Sequence, residues 1–115
     1  MTTTGQKQRM IQEYVPGKQV TMAHIIPNPQ GGLHERLGIG GNGALGIMTI
    51  TPSEAAIIAA DAATKAGNVE IGFVDRFTGS LVLTGDVADV EAAVRAAVAT
   101  LVTVLGFSAA EVTRS

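Results

Sequence analysis

The stretch RLGIGGNGALGIMTITP, Arg36 to Pro52, decides the fold, because it contains Gly38-Ile-Gly40-Gly41-Asn-Gly43, a literal G-x-G-x-x-G. That fingerprint holds a pyrophosphate only where a strand precedes the glycines and a helix opens directly after them. Here the order is reversed. Ala44 to Ile50, after the glycines, reads as a strand, and Leu33 to Leu37, before them, reads as a short helix. The glycines are therefore read as a connecting loop and not as a nucleotide site.

Working outward, the sequence predicts a helix with Thr51 as its cap, Pro52 at its first helical position and Glu54 closing a capping box back onto Thr51. Ala55, Ile58, Ala59 and Ala62 follow helical spacing, Asp61 and Lys65 form an i,i+4 pair, and Gly67 ends the helix. Val69, Ile71 and Phe73 alternate with Glu70 and Gly72, and Leu81 to Thr84 mirrors them across Asp75 to Gly79, which predicts a hairpin. Asp86 is read as the cap of a second helix with Val90, Val94, Ala97 and Leu101 as its apolar stripe, a Glu91–Arg95 surface pair and Gly106 at its end. Upstream, Arg9 to Val15 and Gln19 to Ile26 read as strands, the second stopped by Pro27-Asn-Pro29, and Ala110 to Thr113 reads as a last strand. The result is an α+β, ferredoxin-like sandwich: a mixed sheet with helices packed on one face.

The chain has 115 residues, enough for one domain that buries about two thirds of its unfolded surface. Eight Lys plus Arg and a formal charge of −2 leave no electrostatic footprint for nucleic acid or an anionic membrane. The absence of cysteine excludes a disulfide framework and thiolate metal sites. The polar start MTTTGQKQR is no signal peptide and no apolar run is long enough to span a bilayer, so the expected location is the cytosol. Aromatic residues are only 3% of the chain, and small side chains bury little area each. A thin core of this kind points to burial that continues between subunits.

Catalytic chemistry finds little support. His24 lies in a strand beside the apolar Met22 and Ile26, and His34 lies in a Gly-flanked segment; both are read as packed or solvated histidines without metal-ligand spacing. Glu54, Asp61, Asp86 and Glu91 have local work as caps or helix-surface partners, Ser53 and Ser80 sit in no nucleophile elbow, and there is no Walker loop. No enzyme and no cofactor is expected.

Several segments together resemble a known family: Ala44-Leu-Gly-Ile-Met48, Ala59-Ala-Asp61-Ala62 through Lys65-Ala-Gly-Asn68-Val69, and Gly85-Asp86-Val87 before an Ala-rich helix. These are similar to the shell-protein domain of bacterial microcompartments. His24-Ile-Ile-Pro27-Asn-Pro29 resembles the strand that closes the ordinary domain, yet here it precedes the core. That order resembles the circularly permuted subfamily of propanediol- and ethanolamine-utilisation compartments, as do Arg9 to Val20, Thr49 to Glu54 and Ile71 to Gly79. On this likeness, residues 1–18 are a tail with a strand extension and residues 19–115 the permuted shell domain, with Gly38 to Gly43 joining the transposed strand to the ordinary start.

The resemblance implies a cyclic homohexamer in a cytoplasmic microcompartment shell, with other shell proteins and encapsulated enzymes or their targeting peptides as partners. It places Lys65 and Asn28 at the edge between hexamers, Asn28 standing where Arg is common and implying one weaker lateral contact. It places Asp75, Arg76, Phe77, Thr78 and Gly79 near the pore, on a loop shorter than the ordinary glycine-rich one, and implies a restricted passage. Met10, Ile11, Gln12, Glu13, Tyr14 and Val15 are expected to pair with their copies as an axial barrel over the pore, behind a disordered polar tail. The alternative reading from the residues alone is a ferredoxin-like regulatory module that binds a small molecule. The relative order in the sheet of the Gln19 to Ile26 strand and the C-terminal strand stays open at this point.

Overall fold

The computed structural model describes residues 17–115, so the expected strand from Arg9 to Val15 lies outside the described residues. The elements are β1 (Gln19–Ile26), α1 (Leu33–Arg36), β2 (Ala44–Thr51), α2 (Ala55–Ala66), β3 (Glu70–Asp75), β4 (Ser80–Gly85), α3 (Val87–Leu105), β5 (Ser108–Ala109) and β6 (Val112–Arg114). They form one sheet in the order β3-β4-β2-β1-β5, with β6 also pairing β1. This resolves the order that the sequence left open: β1 is internal and the C-terminal strands make the edge.

Strand β2 carries the register of the whole sheet. It pairs antiparallel with β1 from Gln19↔Thr51 to Ile26↔Leu45, and with β4 from Ala44↔Gly85 to Thr49↔Ser80. Strands β5 and β6 run parallel to β1. The single C-terminal strand expected over Ala110 to Thr113 is thus two short ones. The break falls opposite Thr21, the residue that the β1–β2 ladder skips as a bulge. Thr21 fills that irregularity with its hydroxyl, which lies 2.8 Å from the Thr49 hydroxyl.

Helices α2 and α3 cover one face of the sheet, and the main core lies between them and Val20, Ile25, Met48, Ile50, Leu81 and Leu83. A smaller cluster of Ile39, Leu45 and Val82 occupies the other face, covered by Leu33 of α1 and the loop that follows it. The glycine-rich segment is the connector that the sequence suggested. Its last glycine, Gly43, has φ +92°, and a β-carbon there would stand 2.6 Å from the Gly85 carbonyl oxygen, so only glycine lets the loop cross the end of β4.

Three local expectations are corrected. Helix α2 starts at Ala55, because Thr51 is still extended in β2 opposite Gln19 and its hydroxyl is not at the helix start. Backbone turns do the capping: the N–H groups of Ala55, Ala56 and Ile57 donate to the carbonyls of Pro52, Ser53 and Glu54 at 3.0, 3.0 and 3.1 Å. Asp86 does occupy the N-cap of α3, with extended backbone, but its side chain makes no capping bond. The buried face of α2 is Ala55, Ala56, Ala59, Ala60 and Ala63, while Ile58 is 42% exposed and Ala62 only half-buried. Contact between α2 and α3 selects the small residues for the inside, because only they let the two helices approach closely. The α3 stripe of Val90, Val94, Ala97 and Leu101 is fully buried, as its spacing predicts.

Leucine at position 59 has no room in that contact. Ala59→Leu is expected to lower stability by about 1–3 kcal/mol through overpacking, read as a lower midpoint in thermal or urea unfolding. An unchanged midpoint would show that the α2–α3 contact is looser than described.

Candidate functional site at the hairpin turn and the two ends of the sheet

The β3–β4 hairpin is built around Asp75. Its carboxylate accepts hydrogen bonds from the backbone N–H of Phe77 at 2.8 Å and of Thr78 at 3.3 Å, while the Gly79 N–H donates to the Asp75 carbonyl at 2.8 Å. The Thr78 hydroxyl donates to Ser80 Oγ at 3.1 Å. Gly79 then anchors the turn to the sheet, its carbonyl accepting the Ile50 N–H at 2.9 Å. Gly79 has φ +82°, and a β-carbon there would fall 2.1 Å from the Ile50 oxygen, so no other residue fits.

The tip is left bare. Phe77 is 79% exposed, and the Arg76 guanidinium lies over its ring, 4.9 Å from the centroid. Beside them an open groove of about 560 Å³ is lined by Ile57, Phe73, Val74, Asp75, Arg76 and Phe77. The alternation of β3 suggested a half-buried strand, yet Ile71, Phe73 and Val74 are all exposed along this sheet edge, where a bulge between Ile71 and Phe73 breaks the period. The sequence signal that could have found this apolar flank is the Ile57-Ile58 pair, set apart from the alanine face of α2.

Lys65 and Asn28 lie at the other end. Strand β1 finishes where Ile26 meets Leu45, and β2 begins where Ala44 meets Gly85, so Asn28 follows the end of the sheet opposite the turn. Helix α2 starts on the turn side after Thr51 and finishes beside the start of β3, which puts Lys65 at that same far end. Lys65 Nζ pairs with Asp61 at 2.8 Å, both side chains well exposed. The fold thus brings residues 75–79 together at one end and sets Lys65 and Asn28 at the opposite end; Met10 to Val15 lie outside the described residues.

The two histidines make no catalytic pair. His24 Nδ1 and Nε2 share hydrogen bonds with the hydroxyls of Thr113 at 2.6 Å and Ser115 at 2.8 Å, tying β1 to the C-terminal edge. His34 sits in α1, where its backbone carbonyl accepts the Ile39 N–H. Among the described residues, no helix is long and apolar enough to cross a membrane.

The described residues thus form a sheet with two helices on one face and an exposed turn at one end. The BMC domain family matches residues 44–113. The bacterial microcompartment shell protein PduU of Salmonella typhimurium is 58% identical over 108 residues, covering 93% of both chains. The shell protein EutS of the same organism is 51% identical over 109 residues, covering 95% of this chain and 98% of EutS. A solved structure described as the CutR flat hexamer superposes with a TM-score of 0.83 at 47% identity, covering 94% of this chain and 100% of that one. The chain belongs to the bacterial microcompartment shell-protein family. It is a structural protein of the PduU and EutS kind and not an enzyme.

The bonds to Asp75 make the turn sensitive to acid. Its carboxyl titrates below the usual carboxylate value, first because of the Phe77 N–H and then because of hydrogen bonding from Thr78. A lowered folded-state pKa means that this stabilisation is complete above the unfolded value of about 3.9 and is lost as pH falls through the folded value. Carboxyl NMR titration should give an Asp75 midpoint below that of an unstructured peptide. A midpoint at or above the peptide's would overturn the assignment.

Proposed function

We propose that copies of this chain close into a cyclic hexamer that tiles with other shell proteins of a bacterial microcompartment, with the 75–79 turn toward the six-fold axis and Lys65 and Asn28 at the outer rim. The observation that carries this reading is the placement of the two residue sets at opposite ends of one sheet, together with the hexameric CutR relative. A wedge-shaped subunit in a ring needs a narrow end that converges with its copies and a broad end that meets the next ring. The short turn, filled by Arg76 and Phe77, restricts the axial passage. Asn28 offers a shorter and uncharged contact at the rim than an arginine would.

A circular permutation underlies the element order. Its support is that β1 precedes the matched span of residues 44–113 and yet lies inside the sheet, between β2 and the C-terminal strands. The division into residues 1–18 and a shell domain of residues 19–115 follows from the same reading. Strand β1 starts at the turn end of the sheet, opposite Thr51, so the segment before it leaves the domain on the axial side. Met10, Ile11, Gln12, Glu13, Tyr14 and Val15 pair there with their copies and close over the passage as a small barrel, which leaves no bare strand edge. Enzymes enclosed by the shell, or their targeting peptides, are further partners on this reading.

Native mass spectrometry should report six copies at micromolar concentration; a stable monomer would end this reading. Lys65→Ala should leave the ring mass unchanged and weaken sheet formation with a co-expressed shell partner, seen by electron microscopy. A ring that falls apart in this variant would put Lys65 inside the hexamer instead. Amide exchange tests the barrel separately: slow exchange across Met10 to Val15 in the intact hexamer is expected, and fast exchange throughout would rule the barrel out.

A further inference from the structure

The chain has three asparagines, and the fold treats them differently. Asn28 is followed by Pro29, whose ring nitrogen carries no proton. Asn68 is followed by Val69, a β-branched residue whose N–H already donates to the Gly67 carbonyl at 2.9 Å. Asn42 is followed by Gly43, which has no side chain, and the Gly43 N–H makes no hydrogen bond among the described residues. Asn42 itself is exposed and is tied to the fold through its main-chain carbonyl, which accepts the Thr84 hydroxyl at 2.9 Å.

From this contrast we infer that Asn42–Gly43 is a site of spontaneous modification, at which the asparagine converts through a cyclic imide to aspartate and isoaspartate while Asn28 and Asn68 stay intact. Water and hydroxide are the only co-reactants. Hydroxide takes the Gly43 amide proton, and the nitrogen attacks the side-chain carbonyl carbon of Asn42. The new C–N bond closes the imide as the bond to the side-chain nitrogen breaks, and that nitrogen leaves as ammonia with a proton from water. Water then opens the imide. Opening at the side-chain carbon leaves aspartate, and opening at the main-chain carbon leaves isoaspartate, with the chain now running through the side chain. The fold cannot exchange the glycine for a slower neighbour, because a β-carbon at position 43 would stand 2.6 Å from the Gly85 carbonyl oxygen. The close passage that builds the connector thus keeps the reactive pair in place.

The product forms where the structure tolerates it poorly. A polar cleft of about 280 Å³ is lined by Asn42 together with Glu70, Thr84 and Asp86. Neither acid has an ion pair among the described residues, and the Asp86 side chain makes no capping bond. A carboxylate at position 42 adds a third negative charge to that cleft, and like charges at close range repel. In isoaspartate the carbonyl that takes the Thr84 hydroxyl is no longer part of the main chain, and Thr84, only 4% exposed, has no solvent to turn to instead. Modification therefore loosens the connector between α1 and β2 and destabilises the fold.

The test incubates the full chain warm at mildly alkaline pH for days, beside a free peptide with the sequence of residues 40–45. Samples are separated by isoelectric focusing and mapped by peptide mass spectrometry. A species one unit more negative than the formal −2 of the chain should accumulate, faster in proportion to hydroxide, with aspartate and isoaspartate at position 42 only. Asn42→Gln keeps the amide but needs a larger, slower-forming ring, and should give none of that species. The parent's peptide map decides the site even if this variant misfolds. The modified fraction, isolated by ion exchange, should show a lower unfolding midpoint than the fresh chain. Conversion at Asn28 or Asn68 with Asn42 intact, or an unchanged chain beside a converted peptide, would overturn the site. A modified fraction that unfolds together with the fresh chain would overturn the loosening of the connector.

Discussion

The alanine contact between α2 and α3 is the constraint on which the rest of the subunit depends. Ala55, Ala56, Ala59, Ala60 and Ala63 face inward and are buried, and they meet the fully buried stripe of α3. Small side chains bring the helices and the sheet close together, but each contributes little buried area. The large apolar residues of α2 and β3 are correspondingly turned outward, at Ile57, Ile58, Phe73 and Val74. A fold packed in this way keeps part of its hydrophobic surface for contacts beyond the chain, which suits a protein whose family builds shells.

The second organising feature is the register of β2. Its ladders with β1 and β4 determine which end of the sheet holds the turn and which holds the Pro27-Asn-Pro29 segment. A shift of one residue in either ladder would exchange the two faces of a strand, setting Leu45 and Ile47 where Met48 and Ile50 now lie. The separation of the 75–79 turn from Lys65 is therefore a product of core packing: the side chains that place Arg76 and Lys65 at opposite ends are Met48, Ile50, Leu81 and Leu83.

The polar interactions have a local scope. Asp75 organises its turn by accepting backbone N–H groups, and Gly79 ties that turn to Ile50. The Asp61–Lys65 pair is solvent-exposed, and such a pair is worth at most about 1 kcal/mol. Lys65 can therefore leave Asp61 for a group on another molecule at little cost. The hydrogen bonds from His24 to Thr113 and Ser115 hold the chain's last strand against β1 and need no catalytic explanation.

The residues by themselves determined the element types, the α3 stripe, the Asp61–Lys65 and Glu91–Arg95 pairs and the connecting role of the glycine loop, because each depends on neighbours within a few positions in the chain. The likeness to shell proteins was legible for a similar reason, since its motifs are short and contiguous. Local patterning misplaced the start of α2, where Thr51 has the composition of a cap but is held in β2 by Gln19, a partner 32 positions away. It also misassigned Ile58, since spacing defines a stripe without saying which neighbouring stripe meets α3. Only the tertiary structure decided that β1 is internal, that the C-terminal strand is broken opposite the bulge at Thr21, and that Ile57, Phe73 and Phe77 share one groove. Those outcomes depend on pairing and packing between distant segments, and a side chain's burial is defined only once the surface that covers it is in place.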